Sequence, residues 1–565
     1  MPLGEKKVRR LTGILLVIGV LVTRLPFISK MLFEFDSVDF AVATFRFDLG
    51  QVTPHFPGYI LHILFAKFLL LFISDTNLAF VVISILLSIG SVLFLWRAGA
   101  ALRGERVGVV AAVLWLFTPI FWFYGEVATA YMYEAFFASA FLYFGIRLLR
   151  CPSKKWIVYS LFIFLSLATG ARQSSILFFT PCVIYFCWVT RQPLKTWIGG
   201  IILFSFVTAA WSSILFWYSG GIGAYFTLAG SQSVYRSQSI IFGNQFGSHL
   251  RVIAKIFLYL IVAALPFVLI FGLSILKYPG RTNEFIRSQF RKRSFRFVAL
   301  VGLPAFLFYI VIYFIKAGYL LNILPGIALA SAVLLDQNVI WMAERVRRAS
   351  PNKLLLTRPI ITRRTIYYCV AIICIDLLIF FAPFPWLSQG YTNNAFTFDS
   401  FNTQASMLDP NFGGGSGLLL NRLFSFSCLN GIKHTDELHT NLLASLRSYS
   451  PDGSDLVLLD TWWHRWGYYY LPKSTIYDIR DFPESDSLWI GRSKNFIREG
   501  LSETEVHLES GKRILLLLRS DCPSFKAITA QVHLERVPLP EYLDIYRITD
   551  DHFSLQWKNV RFIMN

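Results

Sequence analysis

Asp36 and Asp39 stand three residues apart in FEFDSVDFAVATFRFDLG, just past the first long apolar run of a 565-residue chain. On a helix, residues at that spacing share a face. Carboxylates at a membrane boundary are expensive to bury, so a pair on one face points to a water-filled cavity, although two solvated loop acids would show the same spacing. Such a pair can take a proton from a hydroxyl or hold a hard cation such as Mg2+ or Mn2+. Two further acids, Glu126 and Glu134, follow in FWFYGEVATAYMYEAFF. Glu134 falls inside an apolar run, where an acid needs a partner or a cavity.

Cations and polar groups accompany these acids. Arg172 and Gln173 lie in ATGARQSS, and Lys316 and Tyr319 in IKAGYLLNILPG, both at the ends of apolar runs. A guanidinium or ammonium there can clamp a phosphate through charge-assisted hydrogen bonds. The alternatives are a buried Glu134–Arg172 ion pair and a Lys316 that snorkels to lipid headgroups. The segment 219–250, rich in Gly, Ser and Gln, offers Tyr235 and Arg236 as further substrate contacts. LVLLDTWWHRWGYYYLPKSTIYDIRD concentrates Trp and Tyr beside His464 and Arg465, either as a surface that stacks on sugar rings or as a buried core.

The elements that must position these residues are membrane helices. The chain is 55% hydrophobic and only 15% charged, with a mean hydropathy of +0.53, which excludes water as its only solvent. Apolar runs of about twenty residues, rising about 1.5 Å each, cross a hydrocarbon core of about 30 Å. Spans are predicted near 11–29, 77–96, 107–123, 130–147, 156–171, 174–190, 197–218, 252–275, 296–315, 319–341 and 365–383. The first run lacks a small-residue cleavage site and reads as a retained helix. With the N-terminus inside, the basic segments Arg97–Arg106, Arg147–Lys155, Arg191–Lys195, Lys277–Arg296 and Arg345–Arg364 all fall on the cytoplasmic side. Counting 58–73 as a span would invert that pattern, so it reads as interfacial or re-entrant, and segments 30–76, 122–131 and 219–250 become outer loops.

The net charge of +19 follows from this topology rather than from a nucleic-acid partner, since no nucleic-acid motif accompanies the basic runs. Past Trp386 the hydropathy falls, dividing the chain into a membrane domain over 1–384 and an extracytoplasmic domain over 385–565. There SDLVLLD and KRILLLLRS read as buried strands, and the segments near 436–448 and 495–500 as helices, an α/β arrangement. Of seven cysteines only Cys428 and Cys522 lie in that region, where they could pair or stay free, and none has metal-site spacing. No Walker A, GxGxxG, HExxH or Ser/His/Asp signature is present.

DSVDFAVATFRFD followed by TPHFPGYILHILFAKF resembles the opening of the bacterial relatives of protein O-mannosyltransferases, in the GT-C glycosyltransferase superfamily. In that family an Asp-containing motif precedes His-x-Pro-Gly-Tyr, which starts here at His55. The resemblance extends in order through GEVATAYMYEAFF and KAGYLLNILPG, over most of the first 384 residues. It implies a GT-C-like α-helical polytopic membrane protein of about eleven spans, in a bacterial inner membrane, with a soluble C-terminal α/β domain. The implied activity is inverting transfer of a sugar from a polyprenyl-phosphate donor to a hydroxyl of a protein, lipid or glycan at the outer face.

By motif order Asp36 is the implied general base, and Glu134 matches the acid at the start of the fourth span. True protein O-mannosyltransferases have an Asp-Glu pair. Here Ser37 follows Asp36 and the next acid is Asp39, three residues on as in the bacterial relatives. Arg172 and Lys316 would neutralise the leaving phosphate, and no cofactor is required unless the carboxylates hold Mg2+ or Mn2+. The rival reading is a transporter or lipid flippase, in which intramembrane acids would be coupling groups and which predicts inverted repeats and broken mid-membrane helices. The sequence shows neither.

Overall fold

The computed structural model describes residues 3–231, 263–311, 316–349, 357–381, 428–461, 463–481, 486–518, 524–537 and 544–565, with scattered positions between 253 and 261. These form two compact units. The first draws on Met1–Ser29, Phe56–Leu387 and Leu419–Ile432, and the second on Lys30–His55 and Lys433–Asn565. The segment carrying Asp36 and Asp39 therefore groups with the C-terminal chain, not with the spans that flank it in sequence.

The helices run α1 (Leu3–Arg24), α2 (Phe35–Ala43), α3 (Ile60–Leu69), α4 (Thr76–Arg103), α5 (Glu105–Phe117), α6 (Pro119–Tyr124), α7 (Met132–Arg150) and α8 (Lys155–Ala171). They continue as α9 (Ser175–Val189), α10 (Leu194–Tyr218), α11 (Ile222–Ser231), α12 (Leu265–Lys277), α13 (Pro279–Arg291), α14 (Arg293–Val311), α15 (Leu324–Ala349) and α16 (Thr357–Phe381). The last three are α17 (Leu429–Tyr449), α18 (His464–Tyr470) and α19 (Phe525–Thr529).

Among the described residues, seven helices are long and apolar enough to cross a membrane, and α3, α8, α9 and α12 are shorter apolar helices. At about 1.5 Å per residue the ten residues of α3 span about 15 Å, half a hydrocarbon core, so 58–73 does not cross as one helix. The span predicted over 107–123 is broken in two at Thr118. Pro119 donates no backbone hydrogen bond and so starts a new helix instead of continuing the old one.

Small residues let the first helices approach closely. A Cβ on Gly108 would lie 2.4 Å from the Trp96 carbonyl oxygen, so only glycine fits where α5 crosses α4. The basic ends of the helices gather together. Arg9 pairs with Glu105 at 3.2 Å, Arg103 and Arg106 share Asp336 at 3.3 and 2.5 Å, and Arg150 donates to the Leu102 carbonyl at 2.7 Å.

The second unit is built on a mixed seven-stranded sheet ordered β4-β3-β2-β1-β6-β8-β7. Its strands are β1 (Leu456–Asp460), β2 (Thr475–Asp481), β3 (Leu488–Lys494) and β4 (Ile497–Leu501), then β6 (Arg513–Leu518), β7 (Leu534–Arg536) and β8 (Asp544–Ile548). A smaller sheet joins β5 (Glu505–His507), β10 (Val560–Met564) and β9 (Phe553–Trp557). β1 and β6 are the two strands read from SDLVLLD and KRILLLLRS; they pair in parallel, and Leu459, Leu516, Trp557 and Phe562 fill the core beside them. The connection from β1 to its parallel partner β2 carries α18.

One expectation is corrected here: 495–500, read as a helix, is largely β4. Asn495 and Phe496 take positive φ angles of 51° and 63°, forming a two-residue hairpin loop between β3 and β4. That backbone pattern suits the right-handed twist of paired strands and does not occur inside a helix.

Candidate active site

The acids of α2 are placed by a cap. The Glu34 side chain accepts from the Ser37 amide while Ser37 Oγ accepts from the Glu34 amide at 3.3 Å, closing a reciprocal capping box. The helix therefore starts just before Asp36, whose charge sits in the first turn where the helix dipole favours an anion. Asp39, one turn on, is fully buried, while the Asp36 side chain keeps 27% of its exposure.

His55 is returned to α2 by the loop that follows it. Asp48 and Thr53 form a bridge there, and the Asp48 side chain accepts from the amides of Gly50 and Gln51 at 3.0 and 3.2 Å. The His55 ring packs against Phe40, with its Nδ1 3.9 Å from Asp36 Oδ1. One ligand atom from each of Asp36, Asp39 and His55 lies within 4.8 Å of the others. Two carboxylates and an imidazole at that separation suit a hard divalent cation whose remaining ligands are water or substrate.

A second layer comes from the C-terminal chain. Arg465 Nη1 on α18 lies 2.6 Å from Asp39 Oδ2, and the Tyr468 hydroxyl donates to Asp39 Oδ1 at 3.2 Å. The Arg465 guanidinium also sits 4.8 Å over the Phe35 ring. Burial pushes the Asp39 carboxyl up to about 6; Arg465, Arg498 and the Tyr468 hydrogen bond pull it down, and Asp36 pushes it further up. Behind this pair His464 Nδ1 lies 3.3 Å from Asp478, which Arg498 and Arg480 approach at 3.5 and 3.7 Å. Burial, then the charges of Arg498, Arg465 and Arg480, hold His464 well below the usual imidazole range, so it is neutral.

Sequence reading singled out Arg465 only as a neighbour of aromatic residues. The usable signal was the i, i+3 spacing of Arg465 and Tyr468 in HRWGYYY, which puts a cation and a hydroxyl on one helical face.

The first unit holds a separate buried cluster. Arg172 Nε pairs with Glu134 Oε1 at 2.9 Å, and Asn322 donates to Glu134 Oε2 at 2.7 Å. The alternative of an ion pair is thus the arrangement found. Tyr131 and Tyr319 lie 5.0 and 5.2 Å from the Arg172 guanidinium, and Lys316 Nζ is 6.0 Å from the Tyr131 ring. Gln173 donates to the carbonyl of Pro57, inside the His-x-Pro-Gly-Tyr motif, at 3.1 Å.

Glu126 belongs to a different group: it accepts from Trp122 Nε1 at 2.6 Å and feels the charge of Arg24, which is itself fully buried and donates to the Leu116 carbonyl at 2.8 Å. Tyr235 and Arg236 lie outside the described residues, as does Cys522. Cys428 is a buried free thiol.

The bundle of membrane helices and the appended β-rich domain together define a GT-C fold, and the chain is an integral membrane protein. Among solved structures it is similar to ArnT from Cupriavidus metallidurans bound to undecaprenyl phosphate. That match has a TM-score of 0.53 over 97% of this chain and 98% of the other, at 12% identity. The apo form of the same ArnT gives 0.52 over 96% and 98%, at 11% identity. An Archaeoglobus fulgidus oligosaccharyltransferase tethered to an acceptor peptide aligns over 81% of this chain and 62% of that chain, with a TM-score of 0.40 and 11% identity. No protein-family model and no curated protein matches the sequence.

Proposed function

We propose that this protein is an inverting glycosyltransferase that moves a sugar from a polyprenyl-phosphate carrier to an acceptor hydroxyl at the outer membrane face. The observation that carries the reading is the partly exposed Asp36 clustered with the buried Asp39 and the partly exposed His55. In the reaction Asp36 takes the proton of the acceptor hydroxyl as its oxygen bonds to the anomeric carbon. The bond from that carbon to the phosphate oxygen breaks on the opposite side, and polyprenyl phosphate leaves with the electron pair. Positioned proton transfer of this kind is worth roughly 10² to 10⁴ in rate.

Asp39 is a positioning residue. Arg465 and Tyr468 keep it ionised and fixed near Asp36. A phosphate leaves without protonation, so no general acid is needed. Lys316 is proposed to bind the carrier phosphate; Arg172 already shares its charge with Glu134 and acts mainly by ordering the tyrosines around it.

The ArnT likeness supports a polyprenyl carrier through the undecaprenyl phosphate named with that protein. The clustering of basic helix ends supports an orientation with those ends on the cytoplasmic side. A second reading of the same residues is favoured by their spacing: Mg2+ or Mn2+ held by Asp36, Asp39 and His55 would supply positive charge to the leaving phosphate.

The test is release of polyprenyl phosphate from a panel of polyprenyl-phosphate sugars by the full chain in proteoliposomes. Asp36→Asn is expected to lower the rate by about 10² or more. Transfer by the variant at the parent rate would remove Asp36 as the base. Loss of a bound Mn2+ resonance signal in His55→Ala would favour the metal reading.

A further inference from the structure

At the basic end of the first unit, α13 lies between two apolar helices without being apolar itself. Its sequence PGRTNEFIRSQFR buries Thr282 and Gln289 on one side and exposes Arg281, Arg287 and Arg291 on another. Phe290 is nevertheless 50% exposed, and Leu276 at the end of α12 is 80% exposed. A helix with exposed aromatic and basic residues side by side fits the boundary between headgroups and acyl chains.

Phe285 and Gln289 of this helix help line a cavity of about 240 Å3, together with Arg103, Lys292, Phe295 and Gln337. That is below the roughly 300–1,000 Å3 of sites for drug-sized molecules, a size for a headgroup and not for a whole lipid. The charge balance at the cavity is positive. Asp336 is shared by Arg103 and Arg106, and Lys292 Nζ is held by the neutral side chain of Gln289 at 3.1 Å. Arg103 is fixed at the rim by Asp336 and by a hydrogen bond to Gln337.

We propose that this cavity binds the headgroup of an anionic phospholipid. Arg103 and Lys292 receive the phosphodiester, the amides of Gln289 and Gln337 receive the glycerol hydroxyls, and the acyl chains run past the exposed Phe290 and Leu276. Basic pockets between membrane helices take anionic headgroups for this reason: the phosphate gains charged donors while the chains stay in lipid. The site lies among residues that the proposed transfer chemistry does not use.

The test is native mass spectrometry of the full chain in neutral detergent, titrated with phosphatidylglycerol or phosphatidylcholine. One phosphatidylglycerol per chain is expected, in preference to phosphatidylcholine and persisting in millimolar inorganic phosphate. Lys292→Gln should weaken it about fivefold and Lys292→Glu about thirtyfold. Arg291→Glu, an exposed charge outside the cavity lining, serves as the control and should weaken it far less. Gln337→Leu keeps every charge and should also weaken binding, so the reading survives if a charge reversal disturbs folding. Equal binding of the two lipids, displacement by phosphate, or equal loss in Arg291→Glu and Lys292→Glu would each overturn the proposal.

Discussion

Replacing Arg465 by glutamine should change when the protein works more than whether it folds. Arg465 is 2.6 Å from Asp39 Oδ2, and Asp39 is fully buried with its carboxyl pushed up to about 6 even in the presence of that cation. An opposite charge at contact typically lowers a carboxyl by about 1–3 units, so its removal should carry Asp39 to about 7–9. At pH 7 the ionised fraction of Asp39 then falls from about nine in ten to about one in ten, taking the middle of that range.

Activity that needs the anion should rise with pH through about 6 in the parent and about two units higher in Arg465→Gln, with recovery near pH 9. Stability moves the other way. The folded value lies above the ordinary carboxyl value near 4, so the contribution of Asp39 to stability is complete below about pH 4. It is lost as pH rises through about 6, by about 3 kcal/mol in all. Polyprenyl-phosphate release and thermal melting in detergent, each followed from pH 5 to 9, separate the two slopes. An acid limb at the same pH in both proteins, or a loss that no pH restores, would refute the role given to Arg465.

The cluster in the first unit gives two further predictions. Arg172→Met leaves the buried Glu134 carboxylate without its cation and should cost about 3–5 kcal/mol, whereas the double variant with Glu134→Gln should recover part of that loss in thermal melting. Gly318→Ala would put a Cβ 2.4 Å from the buried Tyr131 ring, which cannot retreat without leaving Arg172. A loss of about 1–3 kcal/mol in the same assay is expected, and parent-like melting would show that the ring has room to move.

What could be read from the sequence was whatever a period or a run encodes locally. The apolar runs place most of the membrane helices, and the three-residue spacing of Asp36 and Asp39 on α2 is the spacing the structure has. The break at Thr118 was also local, since Pro119 announces it, but a continuous apolar run of span length outweighed one proline. The hairpin loop at Asn495 and Phe496 was hidden because NFIREG has no glycine at the positions that turn. Pairing at long range left no period at all. Asp39 and Arg465 are separated by 426 residues, so the ion pair follows from where the β1–α18–β2 crossover delivers α18.

That pairing bears on which acid does the chemistry. Two buried acids are each committed to a guanidinium, Asp39 to Arg465 at 2.6 Å and Glu134 to Arg172 at 2.9 Å, and Glu126 is tied to Trp122. Protonating a carboxylate already bound to a cation would leave that buried cation without its counter-charge. Asp36 lies 3.9 Å from the His55 ring, and its side chain meets solvent. The resemblance implies Asp36 by motif order, and its contact with solvent beside His55 supports proposing it as the acid that takes up the proton.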